Sequence, residues 1–484
     1  MGGAESARYI FVFNILSKVV LFGGGIFIAR LLTVDDFGYY LTLSIIFGFI
    51  RLFTVSGYEF YYIQNEEEDQ SKKLQLLRHV FKLRMYQSLI MFVVCLIIGV
   101  LVYLYNDEIL GELLLLSAFL FPISLISKPE ETYLSKAINF KGISKAKFLN
   151  DTSNSLAKVI AAFLGFGPFT FVIGNLVGTT AYNVYLKFNY NIHLFKEKLA
   201  ISESVNTKRI HSFAFNIFLN NSGSYIKNQL DKLFVASIFN NQDKGIYQFG
   251  SSYGGYLFKA TITPQTPMVL ALMAKNKNNF SYLKKLFDTY GFLVGVSLMP
   301  LCIYFMFYTE ELLALIFGAK WVESTLVFQI IFSYYVFKFL TYPSNGVLTS
   351  IGKPEIKARI TLVALFINIL VCVFIYFNGF SIVAFAINYI SISALVDIMC
   401  GIIGMRFIEN SYLQFLLDRV KDSSLAIGIG VMLYLVSTTS LNYLVVLFLI
   451  LTLQLIYVII KRKRLFESVI LLIGNNKILS FLNR

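Results

Sequence analysis

Long apolar runs separated by short polar turns follow one another along the whole of this chain. A helix needs roughly 20 mostly apolar residues to cross a bilayer, so the pattern predicts an all-α, polytopic membrane protein with about 14 transmembrane helices. The expected spans are 9–29, 37–57, 83–105, 109–127, 146–164, 168–187, 213–239, 246–272, 287–307, 326–348, 360–377, 382–403, 425–436 and 442–460.

Two sets of matching positions indicate that the chain contains two related halves. Residues 236–247 repeat an alanine, an aspartate, a glycine and a tyrosine of residues 29–40 at an offset of 207. A second set, which includes Pro129/Pro343 and Gly165/Gly379, coincides at an offset of 214. Ordered matches at nearly equal offsets are typical of duplicated transporter halves. We expect a six-helix N-terminal lobe at 1–190, a cytoplasmic linker at 191–210, a six-helix C-terminal lobe at 211–405, and helices 13 and 14 with a basic tail at 406–484.

Composition and charge agree with a membrane protein. The chain is 57% hydrophobic and 14% charged, whereas soluble domains are about 25% charged. The net charge of +14 is spread between apolar runs and is not gathered into a basic domain, so we expect no nucleic-acid partner. Among the predicted connections, those on the side opposite the N-terminus contain only Arg30, Lys244 and Lys320. The positive-inside rule therefore predicts a multi-pass membrane protein with both termini in the cytoplasm.

Charged residues inside the predicted spans are the candidate functional residues, because a basic side chain near the bilayer centre costs on the order of 3 kcal/mol. Lys227 and Asp231 are one helical turn apart, so an ion pair is as good an explanation as a function there. Three of the bases have no acidic neighbour within a turn, and Arg51 aligns at the offset of 207 with Phe258, next to Lys259. An unpaired basic set facing a helix bundle's interior indicates an anionic ligand. The bases counted as embedded, away from the connections, are Lys18, Arg51, Lys158, Lys227, Lys232, Lys259 and Lys338, and the clearest embedded acids are Asp231 and Asp397.

Motifs for catalysis, cofactors and metals are missing from the sequence. Gly352-Lys353-Pro354 lacks the remainder of a phosphate-binding loop, and the histidines and cysteines show no metal-ligand spacing. We therefore expect a protein that is not an enzyme and that has no cofactor and no metal site. Gly23-Gly24-Gly25 predicts close helix packing or a hinge in the first span.

Several short motifs resemble those of polysaccharide-type flippases, which are the O-antigen and exopolysaccharide transporters of the multidrug/oligosaccharidyl-lipid/polysaccharide exporter superfamily. Residues 29–40 resemble that family's A-R-x-L-x-x-x-D/E-F/Y-G turn after the first helix. Residues 57–64 and 165–169, the segment Asp231 to Tyr247, and Phe317-Gly318-Ala319-Lys320-Trp321 resemble further family motifs. The matches extend from about residue 15 to residue 357.

The resemblance implies a V-shaped pair of six-helix lobes around a central cavity lined mainly by the first, second, seventh and eighth helices. In related flippases, cationic cavity residues are thought to engage the pyrophosphate of a polyprenyl-linked sugar. We accordingly expect a flippase of the bacterial cytoplasmic (inner) membrane for an undecaprenyl-diphosphate-linked oligosaccharide, with membrane lipids as its surroundings and H⁺ or Na⁺ as the candidate coupling ion. Lys18, Arg51 and Lys259 would hold the diphosphate, with Lys227 and Lys232 in secondary positions. Asp231 and Asp397 are the candidate ion-coupling residues.

Three alternatives remain open from the sequence. A cation-coupled multidrug antiporter of the same superfamily would use embedded acids, and the excess of embedded bases argues against it. A flippase for the peptidoglycan lipid precursor would share the fold and most of the chemistry. A membrane-embedded glycosyltransferase or polymerase would need catalytic acids or large outer loops, and the predicted outer connections are short.

Overall fold

The computed structural model describes residues 3–54, 57–65, 69–105, 107–137, 139–190, 192, 207–262, 265–436 and 443–463. Most of the predicted linker 191–210, residues 66–68 of an acidic segment and the predicted basic tail from 464 onwards lie outside these ranges. Within them the regular secondary structure is helical, as the pattern of apolar runs predicted. The chain divides into two compact units, an N-terminal unit, Met1–Gln248, and a C-terminal unit, Phe249–Arg484.

The N-terminal unit contains long helices that correspond to the predicted spans, with short helices between them. Its helices are α1 (Gly3–Leu31), α2 (Val34–Leu52), α3 (Gly57–Gln64), α4 (Gln70–Tyr105), α5 (Glu108–Ala118), α6 (Leu120–Ile123), α7 (Lys128–Lys136), α8 (Phe140–Phe163), α9 (Phe169–Tyr190), α10 (Thr207–Ile238) and the first part of α11 (Asn241–Gly254). The structure differs from the prediction at α4, which begins 13 residues before the predicted start at 83. Arg84, at the edge of the predicted span and counted with the connection before it, therefore lies well inside a helix.

The C-terminal unit shows the same alternation, and the predicted spans 246–272, 287–307 and 326–348 are each divided between shorter helices. Its helices are α12 (Tyr256–Thr261), α13 (Thr266–Lys275), α14 (Phe280–Ser297), α15 (Met299–Phe307), α16 (Thr309–Phe317), α17 (Thr325–Thr341), α18 (Val347–Ser350), α19 (Pro354–Phe377), α20 (Ile382–Phe407), α21 (Tyr412–Asp422), α22 (Ser424–Val436) and α23 (Tyr443–Ile460). The predicted eighth span, 246–272, consists of α11, α12 and the beginning of α13. A proline in the first turn of α13 suits a helix start, because proline lacks the N–H that is unpaired at that position.

The helices have the length and surface of a multi-pass membrane protein. Six helices of the described residues are long and apolar enough to cross a bilayer, and nine spans result if each bent helix pair is one span. Large apolar side chains on α19 are exposed, including Leu362, Val363 and Phe366, which is the arrangement that lipid requires and water disfavours. The exact count of 14 spans stays a prediction. α8 is not among the helices that are apolar enough to cross a bilayer, because it contains several lysines and Asp151.

The predicted repeat is visible where α2 and α11 begin, both within the N-terminal unit. Thr33 caps α2, with its hydroxyl accepting a hydrogen bond from the Asp36 N–H at 3.2 Å. At the offset of 207, the side-chain oxygen of Asn240 accepts one from the Asp243 N–H at 2.8 Å. These side chains satisfy backbone donors that the first helical turn leaves unpaired. Equivalent residues of the two halves therefore start equivalent helices.

Close helix packing explains one of the three consecutive glycines of α1. A Cβ atom at Gly24 would lie 1.8 Å from the Oγ of Ser155 on α8, whereas one at Gly23 would meet nothing within 4 Å. The Ser155 hydroxyl donates a hydrogen bond to the carbonyl oxygen of Val20 at 3.2 Å. The predicted close packing of the first helix is thus confirmed at Gly24.

Candidate functional site

A polar cavity of about 770 Å³ lies inside the N-terminal unit. Helices α2, α4, α8 and α9 and the segment from α5 to α7 contribute its walls. On α8 the lining residues Ile143, Lys147, Asn150 and Asn154 are three or four residues apart, which is the spacing of one helical face. A single face of α8 therefore turns its polar side chains into the cavity.

Basic side chains predominate among the charged groups of this cavity. Its described lining includes the cations Arg51, Arg84, Lys128 and Lys147 and the single acid Glu131. The Lys128 Nζ pairs with the Glu131 Oε2 at 3.1 Å, and the Arg51 side chain is exposed to the cavity at the last turn of α2. The charge balance of the lining is positive, which suits an anionic ligand.

Arg84 is held in the cavity wall by an acid from outside the lining. The Arg84 Nε lies 3.2 Å from the Glu59 Oε1, and only 11% and 7% of the two side chains are exposed. The Arg84 Nη1 also donates to the Gln87 Oε1 at 3.2 Å. The charge of Arg84 is therefore balanced locally by Glu59, and the pair holds this part of the wall next to Arg51. Removing either member of such a buried pair would leave an uncompensated charge.

Amide and hydroxyl groups form another part of the cavity wall. The Asn154 Nδ2 on α8 donates to the Asn175 Oδ1 on α9 at 2.8 Å, and Thr179 follows Asn175 by one turn. Gly178 on α9 allows the two helices to approach closely, since it has no side chain. A Cβ atom at this position would lie 2.8 Å from the Cβ of Asn154 and 2.9 Å from the Asn150 carbonyl oxygen. Small residues at a helix crossing permit this kind of approach in membranes.

Lys18 has an acidic neighbour that its own helix does not supply. Asp151 on α8 hydrogen-bonds with Ser17 and lies within electrostatic range of Lys18, Lys147 and Lys158. Lys18 therefore has a carboxylate near it on another helix, which a search for acids within one turn of the same helix does not find, and its role as a substrate contact stays a prediction. The Lys158 Nζ lies 5.8 Å from the ring centroid of Phe171, a distance typical of a cation–π contact.

The charged residues of α10 make polar contacts within the N-terminal unit. Asp231 is 2% exposed, and one of its carboxylate oxygens accepts a short hydrogen bond from the Tyr247 hydroxyl. The other oxygen, Oδ1, is buried and has no hydrogen-bond partner among the described residues. The Lys232 Nζ donates to the Gln248 Oε1 at 3.0 Å. Lys227, half-buried, also lies on α10.

In the C-terminal unit, Asp397 belongs to a network that joins α17 and α20. Its Oδ2 accepts a hydrogen bond from the Tyr334 hydroxyl at 2.9 Å and lies 3.7 Å from the Lys338 Nζ. The Lys338 Nζ also donates to the Tyr334 hydroxyl oxygen at 3.2 Å. The Lys259 side chain is exposed, with its Nζ 5.6 Å from the ring centroid of Tyr335.

Of the residues proposed from the sequence as substrate contacts, Arg51 lines the cavity described above. Sequence reasoning missed Lys147 and Arg84 because each is the second residue of a predicted span and was counted with the adjoining connection, where basic residues need no explanation. It missed Asn154 and Asn175 because neutral amides within a span do not stand out by charge. The regular spacing of Lys147, Asn150 and Asn154 along α8 was the signal that would have identified this face.

Residues 27–326 match the sequence model described as polysaccharide biosynthesis protein. The chain belongs to this family. A comparison with curated protein sequences gave no match. The family assignment agrees with the motif resemblance over most of the same region.

Solved transporter structures share the fold of this family member. The lipid II flippase MurJ in an inward closed conformation has a TM-score of 0.67 at 16% identity, over 94% of this chain and 99% of that chain. A MATE family transporter of the MOP superfamily in an inward-facing conformation has a TM-score of 0.54 at 13% identity, over 86% and 98%. A MOP superfamily transporter from Pyrococcus furiosus has a TM-score of 0.52 at 12% identity, over 84% and 97%. At these identities the likeness shows a shared fold.

Proposed function

We propose that this protein is a flippase that moves an undecaprenyl-diphosphate-linked oligosaccharide from the cytoplasmic to the outer leaflet of the bacterial inner membrane. The glycan would be a unit of an O-antigen, a capsule or an exopolysaccharide, and translocation would proceed by alternating access. The observation that carries the proposal is the cationic cavity of the N-terminal unit in a chain of the polysaccharide biosynthesis family. A diphosphate is the anionic part of such a lipid carrier, and charge-assisted hydrogen bonds to it are stronger than neutral ones.

Arg51 and Lys147 are the proposed first contacts of the diphosphate. Arg51 offers a planar guanidinium that matches phosphate oxygens in pairs, whereas a lysine acts as a point charge. Lys18 lies within electrostatic range of Asp151 and would act once the diphosphate competes with that carboxylate for the Lys18 ammonium group. Lys227, Lys232 and Lys259, proposed from the sequence, would contact the carrier at other stages of the cycle.

Two acids are proposed to couple transport to H⁺ or Na⁺. Asp231 supports this role because one of its buried carboxylate oxygens has no hydrogen-bond partner among the described residues. Asp397 is already close to Lys338, so it would have to exchange that ion pair for the coupling ion.

Both termini are proposed to lie in the cytoplasm.

The alternatives differ in the charge that they require of the cavity. A multidrug antiporter for cationic drugs would be expected to present acids, and the described lining has four cations and one acid. A flippase for the peptidoglycan lipid precursor would use the same diphosphate chemistry, and the fold of MurJ keeps it as the second candidate. The family assignment favours the polysaccharide carrier.

The test in cells compares a strain lacking this gene with the same strain complemented by the wild type, Arg51→Ala or Lys259→Ala. The proposal predicts that lipid-linked glycan intermediates accumulate on the inner leaflet and that the wild type alone restores surface glycan. Normal surface glycan in the deletion strain together with new sensitivity to cationic drugs would support the antiporter. Loss of cell-wall synthesis with unchanged surface glycan assembly would support the peptidoglycan precursor.

A further inference from the structure

The cavity of the N-terminal unit changes in character along α8. Lys147 and the nearby cations occupy one part, and Asn154 lies seven residues further on, about 10 Å along the helix axis. The lining residues contributed by α9 are neutral: Asn175, Thr179, Tyr182 and Asn183. A cationic part and a neutral, hydrogen-bonding part therefore lie within one cavity.

The hydrogen-bonding capacity of the neutral part is not used up by the fold. Asn183 has a partner at both ends of its amide, since its Nδ2 donates to the Ile123 carbonyl oxygen at 2.6 Å and its Oδ1 accepts from the Ser127 hydroxyl at 2.6 Å. Asn154 differs. Its Nδ2 donates to Asn175, and its buried Oδ1 has no hydrogen-bond partner among the described residues. A buried acceptor left without a partner is unfavourable, so this oxygen favours a ligand that donates a hydrogen bond to it.

We propose that the part of the cavity formed by Asn150, Asn154, Asn175 and Thr179 binds the sugar that is attached to the diphosphate. This inference rests on the proposed function and deepens it by assigning a second subsite to the same cavity. A pyranose displays several hydroxyl groups, and each donates and accepts hydrogen bonds as amide and hydroxyl side chains do. The neutral lining on α9 suits an uncharged sugar, and the cations hold the diphosphate at the other part.

The size of the cavity sets a limit on what it holds. Its volume of about 770 Å³ lies within the range of roughly 300–1,000 Å³ that is typical of small-molecule sites. That space suits a diphosphate and the sugar nearest to it, and a longer glycan would extend beyond the cavity. The subsite would therefore select the first sugar and tolerate variation in the sugars that follow.

The test measures binding of three probes to the full-length protein in nanodiscs. The probes are undecaprenyl diphosphate without a sugar, with one N-acetylglucosamine and with one galactose. The variants are Asn154→Leu and Asn175→Leu, and the matched control is Asn189→Leu. Asn189 lies on α9 but is exposed, and its amide donates to the Tyr185 carbonyl oxygen within the same helix.

The inference predicts that the wild type binds at least one sugar-bearing probe about tenfold more tightly than the sugar-free probe. Asn154→Leu and Asn175→Leu would remove this preference and leave binding of the sugar-free probe within about twofold, which also shows that each variant is folded. Asn189→Leu would behave as the wild type. Equal binding of all three probes by the wild type, or a preference that survives both cavity variants, would overturn the sugar subsite. Failure of the wild type to bind the sugar-free probe would instead reject the diphosphate site itself.

Discussion

Gly38 and Asn241 are in such close contact that a Cβ atom on Gly38 would lie 2.0 Å from the Asn241 carbonyl oxygen. The reciprocal contact exists at the offset of 207, where a Cβ atom on Gly245 would lie 1.9 Å from the carbonyl oxygen of Val34. The starts of α2 and α11 therefore cross backbone to backbone. Repeated glycines at matching positions of the two halves make this crossing possible.

We expect Gly38→Ala to destabilise the protein, because the added methyl group meets backbone that has no rotamer with which to move away. Overpacking of this kind typically costs about 1–3 kcal/mol. The matched control is Gly23→Ala on α1, where the Cβ atom meets nothing within 4 Å and alanine improves helix propensity by up to about 1 kcal/mol. Thermal unfolding of the purified variants in detergent measures both. Equal midpoints of thermal unfolding for Gly38→Ala and Gly23→Ala would contradict this prediction, because they would show that α2 and α11 move apart at little cost.

A buried arginine fixes α21 in the C-terminal unit. Arg419 is 1% exposed, and its Nη1 donates to the Phe287 carbonyl oxygen at 2.7 Å and its Nη2 to the Asp288 Oδ1 at 2.9 Å. The Asp422 Oδ2 lies 3.6 Å from the Nη1. The guanidinium also lies against Gly291, where a Cβ atom would be 1.1 Å from the Nη1.

We predict that Arg419→Ala lowers the free energy of unfolding by about 3–5 kcal/mol, because it leaves buried acceptors and a carboxylate without their partner. Lys421→Ala is the matched control on the same helix, since 79% of the Lys421 side chain is exposed and its ion pair with Asp418 is 3.8 Å long. Exposed pairs contribute about 0–1 kcal/mol. Limited proteolysis after α20 provides the measurement. Similar cleavage rates for the two variants would refute the role of Arg419.

The two candidate coupling acids lead to different expectations. Asp231→Asn keeps the shape of the side chain and a contact with Tyr247, but an amide neither binds a proton nor balances a cation. Transport driven by an H⁺ or Na⁺ gradient should therefore fall to the rate seen without a gradient. Asp397→Asn should chiefly destabilise the protein, because it leaves Lys338 without its carboxylate, and the double variant with Lys338→Gln should recover stability.

Vesicle transport assays with and without each gradient distinguish these cases. Asp418→Asn, which changes a partly exposed acid on α21, serves as the control for loss of charge alone. A gradient response that persists in Asp231→Asn would remove Asp231 from the coupling proposal. An unaltered gradient response in the Asp397→Asn/Lys338→Gln double variant would remove Asp397 in the same way.

The sequence predicted the positions of helices better than it predicted which side chains contact each other. Apolar runs set the helix positions closely, as at α19, where the predicted and observed ends coincide at Phe377. Arg84 was counted with a connection because the first turns of α4 are polar, although the helix continues through these turns. The pairing of Asp397 with Lys338 joins two helices that are 59 residues apart in sequence, and no local pattern reports such a contact. Side-chain partners from different helices depend on tertiary packing, which periodicity does not encode.

The most direct test of the central claim is transport of a diphosphate lipid by the purified protein. Proteoliposomes containing the wild type, Arg51→Ala or Arg406→Ala would be loaded with undecaprenyl diphosphate carrying one fluorescent sugar, and its passage between leaflets followed by quenching from outside. Arg406 is an exposed arginine at the end of α20 and controls for loss of a charge. Hydrogen bonds to a charged group contribute about 1.5–3 kcal/mol, so we predict that Arg51→Ala slows transfer at least about tenfold. Arg406→Ala should match the wild type. No transfer by the wild type, or wild-type transfer by Arg51→Ala, would contradict the proposed cationic site for the diphosphate.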